Sequence, residues 1–106
     1  MQARMQVAEF VVLFVIQCVD KPDVAAVRRA HMEAHREYTA SAPIRILLSG
    51  PLTSDDGATT IGSFFLVDAP DRGEVERFQH ADPLFRADIW ASIQVHAFAK
   101  RVDNRD

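Results

Sequence analysis

Two segments constrain this chain more than anything else in it. Glu9 to Cys18 reads EFVVLFVIQC, and Thr60 to Val67 reads TIGSFFLV. Both are short, rich in β-branched and aromatic residues, and almost unbroken in apolarity. A strand with no polar face must be covered on both sides, so each belongs in the middle of a sheet. The rest of the chain has to supply the edges and the cover.

The intervening segments supply both. Lys21-Pro22-Asp23 is a turn, with Asp23 placed to cap a helix. Val24 to about Ala40 then puts Val24, Val27, His31, Ala34 and Tyr38 on one stripe at helical spacing. Arg29, Glu33, Arg36 and Glu37 lie largely away from it. Ala42-Pro43 ends this helix. Ile44 to Ser49 is a short strand that Gly50-Pro51 breaks, and Asp55-Asp56-Gly57 is a turn. After the Thr60 strand, Asp71 and Glu74 resemble a capping box. They open a second helix, Arg72 to Ala81, which buries Val75, Phe78 and Gln79. Asp82 and Pro83 suit the cap and first position of a further helical turn, Leu84 to Asp88. The last strand, Ile89 to Ala99, alternates. Ile89, Ala91, Ile93, Val95 and Ala97 form one face, and Trp90, Ser92, Gln94, His96 and Phe98 the other, a candidate contact face.

The order β-α-β-β-α-β is the split βαβ arrangement, so the expected class is α+β, ferredoxin-like. Right-handed crossovers place the first and third strands at the centre of a four-stranded antiparallel sheet, with both helices on one face. The opposite face needs cover of its own. A homodimer packing sheet against sheet, or closing a joint α+β barrel, provides it.

The 106 residues suit one domain, with a core from about 9 to 100 and a polar tail, 101–106. A net charge of −3 with scattered basic residues leaves no footprint for nucleic acid. The longest apolar run, Phe10 to Ile16, is far short of the roughly 20 residues that span a bilayer. No small-residue cleavage site follows it, so the cytoplasm is the expected location. One cysteine, Cys18, fits a reducing compartment and a buried, inert thiol.

Few residues can carry chemistry. His31 sits within the apolar stripe, where a buried imidazole needs partners for its nitrogens and can exchange a proton near neutrality. From position alone the first reading is a core histidine bonded to a backbone carbonyl, and the proton-transfer role is its rival. Asp82 is either a helix cap or a carboxylate that orients His31. His31 and His35 have metal-ligand spacing, but Met32 stands where the zinc-protease motif needs Glu, so no metal is assigned. No phosphate loop, nucleophile elbow or dinucleotide fingerprint is present. Gly62, inside a strand, marks a bulge or a close approach.

These residues resemble the YCII-related family. Arg28-x-x-His31-Met32 is similar to its R-x-x-H-L signature. Arg45 to Pro51, reading RILLSGP, is similar to its strand ending in Gly-Pro. Gly57, Gly62 and Ser63 resemble its turn and entry to the third strand, and Ala81-Asp82-Pro83 its A-D-P motif. The resemblance spans about Phe10 to Lys100. It implies a dimeric α+β barrel with a His–Asp pair, here His31 and Asp82, and places Arg28, Gly50 and Pro51 near the pocket. His35 stands where the family usually has an apolar residue; the reading of its position is a helix-edge residue, with the pocket rim as the alternative. The activity implied is a cofactor-free lyase or isomerase acting on a small cyclic or hydroxylated compound by acid–base chemistry. The rival is a non-catalytic dimer that binds a small ligand or another protein.

Overall fold

The computed structural model describes residues 12–105. The chain forms β1 (Val12–Asp20), α1 (Ala25–Ala40), β2 (Arg45–Thr53), β3 (Thr60–Ala69), α2 (Arg72–His80), the single helical turn α3 (Pro83–Arg86) and β4 (Trp90–Phe98). Glu9, Phe10 and Val11 of the expected first strand lie outside the described residues. The sheet order is β2-β3-β1-β4, all antiparallel, so the two most apolar strands are central. This is the ferredoxin-like α+β arrangement.

The core lies between the helices and one face of the sheet. Phe14, Ile16 and Cys18 of β1 and Phe65, Val67 and Ala69 of β3 project into it. Val75 and Phe78 of α2, with Leu84 and Ile89, close it from above, all fully buried. Each such apolar side chain contributes about 1.5–3 kcal/mol on leaving water. Asp71 caps α2, accepting from the Glu74 amide at 2.9 Å, as the capping pattern requires.

Four local expectations change. First, β2 does not stop at Gly50-Pro51 but runs on to Thr53. It is an edge strand, so Pro51 can pair opposite Ser63 while its missing N–H forfeits no bond on the open side. Second, Asp23 does not cap α1. It takes a left-handed conformation, φ 60°, and Val24 occupies the cap position with no side-chain hydrogen bond. Third, the register between β1 and β4 shifts between Val19 and Asp20, pairing Asp20 with Trp90. The shift turns Trp90 into the core beside Ile93 and Val95, away from the outer face expected for it.

The fourth change is the largest. Of the expected stripe of α1, Val24 and Tyr38 pack against the core, but Val27, His31 and Ala34 do not. Val27 is exposed, and the buried residue of the helix is Arg28. The helix is turned so that Arg28, Met32 and His35 face the sheet. A charged side chain can occupy that position because everything it needs is built around it, as the site geometry shows.

Candidate active site

Arg28 reaches down from α1 to the end of β1. Its Nε and Nη2 donate to the two carboxylate oxygens of Asp20, each at 2.9 Å. Nη2 also donates to the Gly62 carbonyl at 3.1 Å and to Ser63 Oγ at 2.9 Å. Both side chains of the ion pair are nearly buried. A fork-on-fork pair of this kind fixes orientation as well as charge. Gly62 makes the approach possible. A Cβ there would collide with the Cys18 carbonyl oxygen across the β1–β3 pairing, so the close approach expected for this glycine is real.

About two turns further along α1 stands His35. Its Nδ1 lies 2.8 Å and 3.0 Å from the two oxygens of Asp82. A carboxylate only accepts, so Nδ1 carries the hydrogen and donates it. This fixes the tautomer and leaves Nε2 as the ring nitrogen that can take or give a proton. Asp82 is 1% exposed. It is held from the other side by the Leu84 amide, which donates to Oδ1 at 2.9 Å as Asp82 caps α3. Pro83 at the first helical position sets that turn. The His35 ring meets Phe65 edge-on, with ring centroids 6.1 Å apart, which fixes its plane.

The pairing expected between His31 and Asp82 is therefore not formed. His31 Nδ1 donates to the Val27 carbonyl at 2.9 Å, one turn back in its own helix, and Asp82 takes His35. The reason is geometric. Histidines four residues apart lie about 6 Å apart along the helix axis, and α1 packs against α3 at the later of the two. The helix rotation that buries Arg28 also swings His35, not His31, toward the sheet.

A cavity of about 260 Å³ opens beside His35. Along α1 its wall is Arg28, Met32, His35, Arg36 and Thr39. Opposite them stand Ser49, Gly50 and Pro51 of β2, with Ser63 and Phe65 of β3. Of the residues expected at a site, Arg28, His35, Gly50 and Pro51 line this cavity, Asp82 stands behind His35, and His31 does not line it. Asp20, Ser63 and Arg36 were not expected as site residues. Asp20 and Arg28, eight residues apart across a turn, are a weak signal that a buried pair could have been sought. Ser63 lay inside an apolar strand, where a lone hydroxyl needs a partner. A larger groove of about 660 Å³ lies on the far side of Arg28, but no histidine or cysteine lines it. Of the two, the smaller cavity is the one with a histidine in its wall.

Two neighbouring groups are set by the same carboxylates. Burial, then the charges of Asp82 and Asp20, push the Cys18 thiol up to about 12 against a smaller opposing effect of Arg28. Cys18 is thus no nucleophile at neutral pH. Tyr38 donates its hydroxyl to the Phe78 carbonyl at 2.8 Å, and burial, then Asp82, raise its pKa. Among the described residues, no three of His, Cys, Asp or Glu gather as a metal site would require. No described helix is long and apolar enough to cross a membrane.

A family model described as the YCII-related domain matches residues 12–99. Among solved structures, the chain is similar to 5-chloro-2-hydroxyhydroquinone dehydrochlorinase (TftG) from Burkholderia phenoliruptrix AC1100, in complex with 2,5-dihydroxybenzoquinone. The two share 30% identity at a TM-score of 0.74, over 82% of this chain and 93% of that one. A structure of the antibiotic biosynthesis monooxygenase type from Bacteriodes thetaiotaomicron shares 11% identity at a TM-score of 0.57, over 93% and 97%. Rv0793 from Mycobacterium tuberculosis shares 13% identity at a TM-score of 0.52, over 90% and 99%. These last two bear on the fold alone. No curated protein sequence matches.

Proposed function

The chain belongs to the YCII-related family, and on that premise we propose that it is a cofactor-free lyase or isomerase acting on a small hydroxylated ring. The observation that carries the reading is the His35–Asp82 pair at the wall of the cavity. Its 30% identity to a dehydrochlorinase whose named substrate is a hydroxyhydroquinone supports it. The cavity volume fits. Sites for drug-sized ligands run from about 300 to 1,000 Å³, and about 260 Å³ suits a single ring.

His35 Nε2 takes a proton from a ring hydroxyl. The O–H electron pair moves into the ring, and the imidazolium returns the proton to the halogen-bearing carbon to give the keto tautomer. His35 then takes the proton of a second ring hydroxyl, whose electron pair expels the halide with its bonding pair. A quinone forms, and the net change is loss of HX. The imidazolium passes its proton to solvent, and Asp82 remains a carboxylate throughout, holding the ring in place. Arg28 and Ser63 stand at the other end of the cavity, placed to hydrogen-bond an oxygen or a departing anion as negative charge develops. No electrons leave or enter the substrate–enzyme system, so the step itself calls for no redox carrier.

The test is a panel of halogenated hydroquinones and benzenetriols, followed by halide release and quinone absorbance. His35→Asn lowers turnover by about 10² to 10⁴, the usual contribution of a positioned proton-transfer group. His31→Asn, bonded only within its own helix turn, leaves it near wild type. Equal turnover in wild type and His35→Asn overturns the reading.

The assembly in this proposal is a homodimer through the open sheet face. Val15, Leu48, Phe64, Leu66 and Phe98 line an apolar depression of about 440 Å³ on that face. Leu48 and Phe98 are more than two-fifths exposed, a patch that soluble proteins usually cover. A stable monomer by sedimentation at micromolar concentration rules this out.

A further inference from the structure

The cavity has two arginines, and they are not equivalent. Arg28 is neutralised: Asp20 holds it through two hydrogen bonds, and both side chains are nearly buried. Arg36 also lines the cavity, but its side chain has no hydrogen bond and no carboxylate partner among the described residues. Among the described residues, no acidic side chain lines the cavity. The uncompensated charge therefore sits at the Arg36 end.

Position along the helix separates the two ends. Arg28 and Arg36 are eight residues apart, which is about 12 Å along an α-helix, and His35 lies between them in the cavity wall. Thr39, one turn beyond Arg36 on the same side, adds a hydroxyl. That hydroxyl donates to the Arg36 carbonyl at 3.1 Å, so its hydrogen is already used and a carboxylate at this end is held by Arg36. At the Arg28 end, a guanidinium already paired with a carboxylate offers hydrogen bonds to an oxygen without surplus charge. At the Arg36 end, a guanidinium without a counter-ion calls for a full anion, and its planar fork matches a carboxylate.

We propose that Arg36 is the specificity-determining residue of this site, and that the substrate carries a carboxylate on its ring, bound at the Arg36–Thr39 end. This rests on the cavity being the substrate site. The ring then lies across His35 with a hydroxyl toward Arg28 and Ser63 and its acid group toward the cavity mouth. Arg36 is exposed, so the pair it forms is partly screened by salt.

Binding separates this inference from the proton-transfer reading. The probes are 2,5-dihydroxybenzoate and hydroquinone, which share ring hydroxyls and differ by the carboxylate. They are titrated calorimetrically into wild type, Arg36→Gln and Arg36→Lys. Wild type binds the acid about tenfold or more tighter than the neutral ring, as a charge-assisted hydrogen bond gives. Arg36→Gln loses most of that preference, Arg36→Lys keeps part of it, and hydroquinone affinity is unchanged in both. Raising salt erodes the preference in wild type and what remains of it in Arg36→Lys. An exposed position makes loss of folding an unimportant risk, and circular dichroism checks it. No preference in wild type, or a preference that survives in Arg36→Gln, overturns the proposal. So does binding of neither probe by wild type. His35→Asn separates the two readings: if it keeps the acid preference and also turns over at the wild-type rate, only the proton-transfer reading falls.

Discussion

The two long helices lie on the same face of the sheet and meet it with opposite chemistry. Helix α2 presents Val75 and Phe78, both fully buried, to Phe65 and the surrounding apolar side chains. Helix α1 presents Arg28, Met32 and His35, and its contacts with the sheet and α3 are made largely by a buried ion pair and a His–Asp pair. The α2 side is held by area removed from water. The α1 side is held by geometry, since burying charge costs free energy that only well-made partners offset. That difference tells which side folds the protein and which side is available for function.

The comparison breaks most sharply at the strongest contact on each side. Phe78→Ala leaves a cavity in the α2 core and costs about 3–5 kcal/mol. Arg28→Met costs a similar amount, about 3–5 kcal/mol, for a different reason: it leaves the Asp20 carboxylate buried without a partner. Rescue separates the two. Adding Asp20→Leu to Arg28→Met recovers at least half of the loss, because a buried pair can often be replaced by apolar groups at little cost. Urea unfolding of the two single variants and the double variant measures this. A double variant no more stable than Arg28→Met would show that Gly62 and Ser63, not Asp20, are what Arg28 serves.

The same contrast decides what the sequence reveals. The α2 side was legible: Asp71 as cap, and Val75, Phe78 and Gln79 as the buried face, all follow from spacing and residue type. So did the element order, the central position of β1 and β3, and Asp82 capping the turn at Pro83. The α1 side was not, because hydrophobic periodicity finds the buried face of a helix only where burial is apolar. Its apolar stripe pointed to Val27, His31 and Ala34, while the true inward face carries Arg28 and His35. A long-range pair such as Arg28 with Asp20, or His35 with Asp82, leaves no periodic trace. The β1–β4 register shift that buries Trp90 is invisible for the same reason. The family signature drew attention to the earlier histidine, and the departure noted at position 35 turned out to be the residue that meets Asp82.

The two cap aspartates sharpen the comparison at smaller scale. Asp71 caps α2 and Asp82 caps α3, each accepting one backbone amide at 2.9 Å. Asp71→Ala loses a cap alone and costs about 1 kcal/mol. Asp82→Ala loses the cap and also the acceptor for His35 Nδ1, so it costs roughly 1–3 kcal/mol more. Asp82→Asn keeps an acceptor oxygen for the Leu84 amide and recovers part of the stability, but no longer accepts from His35 with a full charge. Thermal unfolding of the three variants gives the ranking. Equal losses for Asp71→Ala and Asp82→Ala would mean that the His35 contact adds nothing to the fold.

The last contrast lies where the polar side meets the sheet, at Cys18, and shows only at high pH. Burial and the carboxylates of Asp82 and Asp20 raise this thiol from an ordinary 9.0 to about 12 in the folded protein. In the unfolded chain it ionises near 9.0. Between those values the folded state holds a proton that the unfolded state has released. Stability from this group is therefore whole below pH 9 and declines as pH rises toward 12. Cys18→Ala removes that slope while adding a constant loss from its small cavity, so the two urea-unfolding curves converge with rising pH. Asp82→Asn weakens the slope, since the thiol then faces one charge fewer, whereas Phe78→Ala lowers stability without altering it. Parallel curves for wild type and Cys18→Ala between pH 8 and 11 would show that folding does not raise the thiol, and an unchanged slope in Asp82→Asn would show that the carboxylate charge does not reach it.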